Sequence, residues 1–281
     1  MTNRALQLLQ ERQAPLMRLP QTTAADDEEM PERQTFDGNH LARMARRMAA
    51  ALQRLTPDTT RAVMLTCPGE TPEQLLAWLA ITGSGREVLL RHDMPNDADT
   101  IGAIICPPDE KEQFQELARR HGIKLATLGG HWEGSFFMLQ MVQQAAQSQP
   151  WPDACPGLTR LAGDEQTISL ETLLNSAAGL ARENGLQDTP ALLLSLPALR
   201  SVAMLTTALA ALLFADVPLY WLPCAQRRQA LKSQPSLPEG VLIISDPAFA
   251  DMLTGTSTGN RLLRQARGCM TVNEKDFRLS S

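Results

Sequence analysis

A run of glycine and hydroxyl residues near the carboxyl end of the chain has the composition of a phosphate-binding loop. The run is LTGTSTGN, Leu253 to Asn260, and the residues RLLRQ that follow it are typical of a helix. A loop of this kind binds phosphate through backbone N–H groups at the N-terminus of a helix. The run has no lysine, however, and a lone glycine motif is weak evidence for a site. The sequence therefore favours a flexible loop at the end of a short helix over a phosphate site at 255–259.

Histidine and cysteine residues are too scattered to predict a metal site or a catalytic pair. Histidine stands beside a carboxylate in His92-Asp93 and in HWE at 131–133, and neither place has metal-ligand spacing. The five cysteines are odd in number and form no C-x-x-C pair, which indicates reduced thiols. Cys67 and Cys106 each follow a predicted strand, and no base is near either one, so both are predicted to be small buried residues. We predict no catalytic residue, no metal and no cofactor.

The bulk composition argues against a nucleic-acid binder and against a membrane-spanning protein. The 281 residues carry a formal net charge of −5, whereas nucleic-acid binders usually have a basic balance. The longest uninterrupted apolar run, 202–214, is too short to cross a bilayer. The N-terminus is polar and charged rather than a secretory signal. We therefore expect a cytoplasmic protein.

Composition divides the chain into four segments. Residues 1–34 are predicted to be a flexible tail, in which 1–19 can form a short amphipathic helix and 22–34 are acidic and poor in apolar side chains. Residues 147–157 contain three prolines and are predicted to be a linker. The segments 35–146 and 158–281 are then expected to be two α/β halves.

Both halves alternate predicted helices with short apolar strands. In the first half a helix at 41–55 is followed by strands at 61–66, 87–91, 101–106 and 123–128, with helices between them at 71–81 and 109–122. In the second half a helix at 169–181 is followed by strands at 191–196, 217–222 and 240–245. The first two strands of each half start 130 positions apart, at Arg61 and Ala191 and at Glu87 and Val217. This order predicts an α/β protein with two helix-covered, largely parallel sheets related by a pseudo-twofold through internal duplication.

The order of elements also resembles a known superfamily. The stretch TFDGNHLARMARRMAAALQRLTPDTTRAVMLTCPGETPEQLLAWLA and the stretch ISLETLLNSAAGLARENGLQDTPALLLSLPALRSVAMLTTALAALLFADVPLYWL resemble the N-terminal subdomains of adenylate-forming enzymes. That superfamily comprises acyl-CoA synthetases, adenylation domains of nonribosomal peptide synthetases, and luciferases. The resemblance covers about residues 35–280 and implies the paired α/β scaffold of their N-terminal part.

The sequence departs from this superfamily where the ATP phosphates should bind. The family's Ser/Thr/Gly-rich loop, which ends in Pro-Lys-Gly, would fall at Gly163, Asp164, Glu165 and Gln166, directly before a helix. This chain has two carboxylates there and no lysine, and carboxylates repel a triphosphate. The chain also ends at Ser281, before the family's adenine, magnesium and C-terminal catalytic segments. The resemblance therefore implies a truncated, degenerate relative, leaning towards a pseudoenzyme.

Three functions remain open from the sequence. The first is a non-catalytic accessory module for binding or assembly in a biosynthetic or secretion complex. It would hold an acyl carrier protein, a sister ligase or another complex subunit, and its candidate partner contacts are Arg43, Arg46 and Arg47. The second is an acyl- or aryl-adenylating ligase subunit that a partner chain completes. The third is a small-molecule or acyl-chain binding protein that uses a cleft between the halves.

Overall fold

The computed structural model of this chain describes residues 4–18, 35–66, 71–91, 93, 98–128, 157–161, 167–197, 199, 201–233 and 236–273. Within them lie nine helices. In chain order these are α1 (Arg4–Glu11), α2 (Gly38–Leu55), α3 (Pro72–Gly83), α4 (Lys111–His121), α5 (Leu170–Glu183), α6 (Val202–Leu209), α7 (Arg227–Ser233), α8 (Pro247–Gly255) and α9 (Ser257–Gln265). A short π-helical turn, Ala210–Phe214, continues α6.

The described residues also form twelve short strands in two sheets. The strands are β1 (Leu16–Arg18), β2 (Thr35–Phe36), β3 (Ala62–Leu65), β4 (Val88–Leu90), β5 (Ile101–Cys106), β6 (Lys124–Thr127), β7 (Leu158–Leu161), β8 (Thr167–Ser169), β9 (Leu192–Ser195), β10 (Leu219–Trp221), β11 (Leu242–Ser245) and β12 (Gly268–Thr271). One sheet has the order β6-β5-β3-β4-β7-β8 and the other the order β12-β11-β9-β10-β1-β2. The prediction of two helix-covered, largely parallel sheets is confirmed.

Each sheet belongs to its own compact unit. The first unit contains Leu41–Leu173, and the second contains Leu8–His40, Leu174–Pro197 and Ser201–Ser281. In both sheets the last two strands form an antiparallel pair and the other neighbours run parallel. The strand order of the two sheets therefore matches position by position, as an internal duplication predicts.

The repeat is also visible in the spacing of the described elements. β3 begins at Ala62 and β9 at Leu192, 130 positions apart, and α3 and α6 begin at Pro72 and Val202, again 130 apart. Both of these helices are buried along nearly their whole length, which is expected of a helix that is apolar on all sides.

Local sequence signals account for where several helices begin and end. Thr71 lies at the N-cap of α3 with Pro72 at the first helical position, and the Gln74 side chain accepts the Thr71 N–H at 3.2 Å. Gly122 ends α4 with a φ of 63°, the left-handed conformation that glycine adopts at low cost. The predicted start of α3 and end of α4 are both confirmed.

The predicted tail, 1–34, contains the short helix that its first part was expected to allow, since residues 4–11 form α1. Its description as a flexible tail needs correction at β1, which pairs in parallel with β10 in the second sheet. The Arg12 guanidinium donates to the carbonyls of Leu212 and Val217 at 3.0 and 2.6 Å, and Asp216 accepts the backbone N–H of Gln13 at 2.8 Å. These bonds hold the segment against the second unit because they satisfy buried polar groups on both sides. Residues 19–34 lie outside the described residues.

The predicted boundaries of the two halves are also different in the structure. β2 lies in the predicted first half, yet it pairs with β1 in the sheet of the second unit. β7 and β8 lie in the predicted second half, yet β7 pairs with β4 in the sheet of the first unit. The β1–β2 hairpin therefore lies in the sheet of the second unit, and the chain continues from it into α2, most of which belongs to the first unit. The β7–β8 hairpin lies in the sheet of the first unit, and the chain continues from it into α5, most of which belongs to the second unit. Within the predicted linker 147–157, only Gly157 is among the described residues.

The run LTGTSTGN is the clearest local correction. It is not a flexible loop, because α8 extends to Gly255 and α9 begins at Ser257, so a single residue separates the two helices. That residue, Thr256, caps α9: its hydroxyl accepts the Gly259 N–H at 3.0 Å and donates to the Met252 carbonyl at 2.9 Å. The sequence pattern concealed this cap because threonine and glycine occur both in loops and at helix starts.

The core of each unit forms where helices cover one face of its sheet. In the first unit, Phe114 and Ala118 of α4 pack with residues of β3 and β5, including Met64 and Ile104. In the second unit, residues of α7, α8 and α9 pack with β9, β10 and β11 around Phe249, whose side chain is fully buried. None of the helices among the described residues is long and apolar enough to cross a bilayer.

Candidate functional site

The residues predicted to correspond to the family's phosphate loop lie in sequence between the strands β7 and β8. The two strands are antiparallel, with Arg160 opposite Thr167, and residues 162–166 connect them. The predicted positions Gly163, Asp164, Glu165 and Gln166 all belong to this connection and lie outside the described residues. Helix α5 begins at Leu170, immediately after β8. In the structure, β8 leads directly into this helix.

The basic charge beside this connection is engaged by a carboxylate. Arg160 is the one basic residue between Gly157 and Leu170 in the sequence, and its guanidinium forms an ion pair with Glu87 at 2.6 Å. Both side chains are mostly buried, where such a pair is screened little by solvent. At the start of α5, the Ser169 hydroxyl accepts the Thr172 N–H at 3.1 Å. The guanidinium next to the connection is thus paired with a carboxylate, and the helix that follows is capped by Ser169.

The carboxyl ends of the parallel strands are the other place where α/β proteins position functional side chains. In the first unit, Thr66 follows β3 and donates its hydroxyl hydrogen to the Glu110 carboxylate at 2.8 Å. Cys106, at the end of β5, is 1% exposed, as predicted for a small buried residue. Burial, followed by the nearby Glu110 and Asp109 carboxylates, raises the pKa of the Cys106 thiol to about 12. A thiol with so high a pKa is a poor nucleophile at neutral pH. Cys67 lies outside the described residues.

In the second unit, the strand ends are tied together by a buried arginine that the sequence analysis missed. Arg227 of α7 donates to the Ser195 hydroxyl at 2.9 Å and to the Ser195 carbonyl at 2.8 Å. It also forms an ion pair with Asp246 at 2.9 Å, and its guanidinium carbon lies 4.9 Å from the centre of the Phe249 ring. Ser195 ends β9 and Asp246 follows β11, so Arg227 connects two strands and two helices.

The contacts of Arg227 with Ser195, Asp246 and Phe249 are typical of a side chain that stabilises the fold rather than of a catalytic group. The Nε, Nη1 and Nη2 atoms of Arg227 all donate to atoms of the protein. Asp246 also accepts the Phe249 N–H at 3.1 Å, which caps α8. The signal for Asp246 was present in the sequence, since Asp246-Pro247 is a typical helix start. Nothing in QRRQ, by contrast, distinguishes the buried Arg227 from the exposed Arg228.

The candidate partner contacts lie on the outer face of α2. Asp37 caps this helix, because its carboxylate accepts the His40 N–H at 2.6 Å. Arg43 and Arg46 are exposed and Arg47 is partly exposed. The buried side of the same helix carries Leu41, Met44, Ala45, Met48 and Leu52. The helix has four arginines and no acidic residue, so the arginine face of α2 (Arg43, Arg46 and Arg47) is a surface of positive charge.

His92 and the HWE stretch at 131–133 lie outside the described residues, and Asp93 forms an ion pair with Arg91 at 2.5 Å. Within the described ranges, no group of three or more histidine, cysteine, aspartate or glutamate side chains is placed to hold a metal ion.

Comparison with known proteins identifies the fold. No protein-family model matches the chain, and neither does any curated protein sequence. Among solved structures it is similar to apo MatB from Rhodopseudomonas palustris, with a TM-score of 0.67 and 16% identity over 92% of this chain and 52% of that chain. It is also similar to the N-terminal domain of FACL13 from Mycobacterium tuberculosis, with a TM-score of 0.63 and 15% identity over 93% of this chain and 67% of that chain.

A third similar structure is the long-chain-fatty-acid-CoA ligase FadD1 from Archaeoglobus fulgidus, with a TM-score of 0.61 and 10% identity over 90% of this chain and 54% of that chain. All three are adenylate-forming ligases. The chain spans about half the length of MatB and FadD1. The resemblance seen in the sequence is therefore confirmed at the level of the fold, which is that of the N-terminal part of these ligases.

Proposed function

We propose that this chain is a non-catalytic protein with an adenylate-forming-ligase fold, which acts in the cytoplasm as an accessory module for binding or assembly. The observation that carries the proposal is the link between β7 and β8. We assign this link to the position of the family's phosphate loop, and its residues are Ala162, Gly163, Asp164, Glu165 and Gln166. The link offers no lysine and no hydroxyl group to a phosphate.

Electrostatics supports a loss of ATP binding. A like-charge pair about 4 Å apart costs about 1 kcal/mol in water and about 4 kcal/mol at an effective dielectric constant of ~20. The N-terminus of a helix stabilises a nearby anion by only about 0.3–1 kcal/mol when the site is exposed. The carboxylates of Asp164 and Glu165 would thus outweigh the pull of α5 on a triphosphate. Arg160 is already paired with Glu87.

The arginine face of α2 supports an acidic partner. It presents three positive charges on a chain whose net charge is −5, so an acidic surface docks there without competition from acidic residues of α2. Complementary charge of this kind speeds association and fixes the register of a complex. An acyl carrier protein, a sister ligase or another subunit of a biosynthetic or secretion complex would provide it.

A ligase subunit that is completed by a second polypeptide is the alternative. The chain covers 52% of MatB, and in this alternative a partner chain supplies the rest of an active ligase. Under this alternative, ATP–pyrophosphate exchange appears when the partner supplies the phosphate loop and the catalytic lysine.

Isothermal titration with ATP and Mg²⁺ tests the proposal directly. We expect no heat of binding for this chain, while MatB, which has been crystallised with ATP bound, serves as the positive control under the same conditions. Micromolar binding by this chain alone would contradict the proposal. Exchange activity that appears only with a co-purified protein would instead establish the alternative.

A further inference from the structure

The surface formed by α7 and α9 in the second unit is positively charged. These two helices contain no acidic residue, and four of their basic residues are exposed: Arg228, Lys232, Arg261 and Arg264. The carboxylates nearest to them in sequence, Glu239 and Asp251, are exposed and belong to neighbouring segments. This surface therefore attracts an acidic partner, although the whole chain has a net charge of −5.

A groove follows α9 across this basic surface and has a volume of about 200 Å³. The residues of α9 that line it are spaced i, i+3, i+4 and i+7, and they are Thr258, Arg261, Leu262 and Gln265. Residues at this spacing share one face of a helix, and seven residues rise about 10 Å along its axis. The lining therefore extends along most of α9, as expected of a groove for an elongated partner.

The floor of the groove is apolar and buried. Leu193 of β9, Leu222 after β10 and Phe249 of α8 form it, each at most 2% exposed. Ala230 and Leu231 add apolar lining from α7. A cavity of about 150 Å³ holds a benzene ring, so the groove has room for one leucine or phenylalanine side chain of a partner.

We infer that this groove docks an acidic amphipathic helix of a partner protein. Helices that bind in apolar grooves present apolar anchors at i, i+3, i+4 and i+7, which matches the spacing with which α9 lines the groove. One anchor lies on Leu193, Leu222 and Phe249, and the acidic side chains beside it lie over Arg261 and Arg264. The inference rests on the proposed accessory role, and it gives the second unit a docking surface in addition to the arginine face of α2.

Synthetic peptides test the inference on the full chain. The probe is a fluorescently labelled peptide of about 14 residues, with leucine and phenylalanine at i, i+3, i+4 and i+7 positions and glutamate and alanine elsewhere. Fluorescence anisotropy should show micromolar binding at low salt, and the affinity should fall as ionic strength rises. Replacement of glutamate by lysine should weaken binding at least about tenfold. A scrambled peptide of the same composition, whose apolar residues share no face, should bind as weakly.

Absence of binding by the acidic amphipathic peptide, or equal binding of all three peptides, would overturn the inference. Vesicles of phosphatidylserine and phosphatidylcholine test a different occupant. Binding of these vesicles without binding of the peptide would assign the basic surface to a membrane and would also overturn the inference.

Charge variants assign the peptide to this surface. Arg261→Gln/Arg264→Gln should lower the affinity about tenfold and weaken its dependence on salt. Arg119→Gln/Arg120→Gln removes two exposed charges from α4 and should change neither. Loss of binding in an α2 variant that lacks its arginine face, with no effect of Arg261→Gln/Arg264→Gln, would show that the peptide docks on α2 instead.

A second pair of variants tests the apolar part of the groove. Ala230→Leu places three additional carbon atoms in the groove and should weaken binding of the peptide about tenfold, because the anchor side chain loses its space. Ala248→Leu, on the exposed side of α8, controls for the added bulk, and thermal unfolding verifies that both variants are folded. Undiminished binding by Ala230→Leu would show that no anchor enters the groove.

The titration with ATP and Mg²⁺ separates this inference from the proposed function. A chain that binds neither ATP nor the acidic peptide would retain the proposed loss of ATP binding and refute docking in the groove. A chain that binds both would refute the proposed function and leave the docking surface established.

Discussion

The backbone of Gly259 lies directly against the carbonyl group of Leu253. A Cβ atom at position 259 would be 2.3 Å from the Leu253 oxygen and 2.6 Å from its Cα. This contact joins α9 to α8 across the single residue Thr256. The glycine that resembles part of a phosphate loop is thus required for the packing of two helices.

Substitution of this glycine should destabilise the protein without affecting nucleotide binding. We expect Gly259→Ala to lower the free energy of unfolding by about 1–3 kcal/mol, because the backbone of Leu253 must move to admit the methyl group. Gly255→Ala is the matched control, since no atom lies within 4 Å of a Cβ there, and it should stay within about 0.5 kcal/mol of the unsubstituted protein. Denaturant unfolding of the two variants measures the difference, and equal stabilities would contradict the packing role.

The turn that contains these two glycines is also a feature that local sequence patterns do not determine. Periodic apolar residues and capping signals predicted α3, α4 and β5 closely, because those signals act within a few residues of one another. Local pattern could not decide between a loop and the turn from α8 to α9, since the deciding contact between Gly259 and Leu253 depends on how the chain folds back.

The sheets to which the β1–β2 and β7–β8 hairpins belong could not be predicted from the sequence for a different reason. β1, β2 and β8 are only two or three residues long, and the strands that attach the two hairpins to their sheets, β1 and β7, pair with β10 and β4 in distant parts of the chain. Short strands have little hydrophobic periodicity of their own. Prediction from the composition of consecutive segments therefore assigned β2 and β7 to the halves that they adjoin in sequence. In the structure they belong to the sheets of the other units.

The ion pair of Arg227 and Asp246 should contribute strongly to stability. Arg227→Met leaves the Asp246 carboxylate buried without its cation, and we expect a loss of about 3–5 kcal/mol. In the double variant Arg227→Met/Asp246→Asn the uncompensated charge is gone and an asparagine still caps α8, so part of the stability should return. The exposed neighbour Arg228→Met should be nearly neutral. Chemical denaturation of the four proteins tests this, and a neutral Arg227→Met would refute the structural role.

The buried thiol of Cys106 predicts a loss of stability at high pH. Its pKa is raised from an ordinary value of 9.0 to about 12 in the folded protein. Between these values the unfolded chain loses the thiol proton while the folded chain keeps it, so this residue makes the free energy of unfolding fall as pH rises from 9 towards 12. Cys106→Ala should flatten that part of the stability–pH curve.

Alkylation at pH 9 gives a second readout for the same residue. Iodoacetamide should label Cys106 far more slowly than the partly exposed Cys269, because the thiolate is the reacting species and the buried thiol stays protonated. Peptide mapping by mass spectrometry compares the two sites, and labelling in denaturant should make their rates similar. Fast native labelling of Cys106 would contradict both its burial and its raised pKa.

The arginine face of α2 should govern binding of an acidic partner if the proposed accessory role is correct. Arg43→Gln/Arg46→Gln/Arg47→Gln removes three charges from one surface, and we expect the affinity for a partner isolated with the native protein to fall about tenfold or more at low salt. The same variant should show a weaker dependence of binding on ionic strength, because fewer exposed charges are left to be screened. Lys111→Gln/Arg119→Gln/Arg120→Gln removes three exposed charges from α4 and is the charge-matched control. Surface plasmon resonance at several salt concentrations compares the variants, and an unchanged affinity and salt slope for the α2 variant would exclude this face as the docking surface.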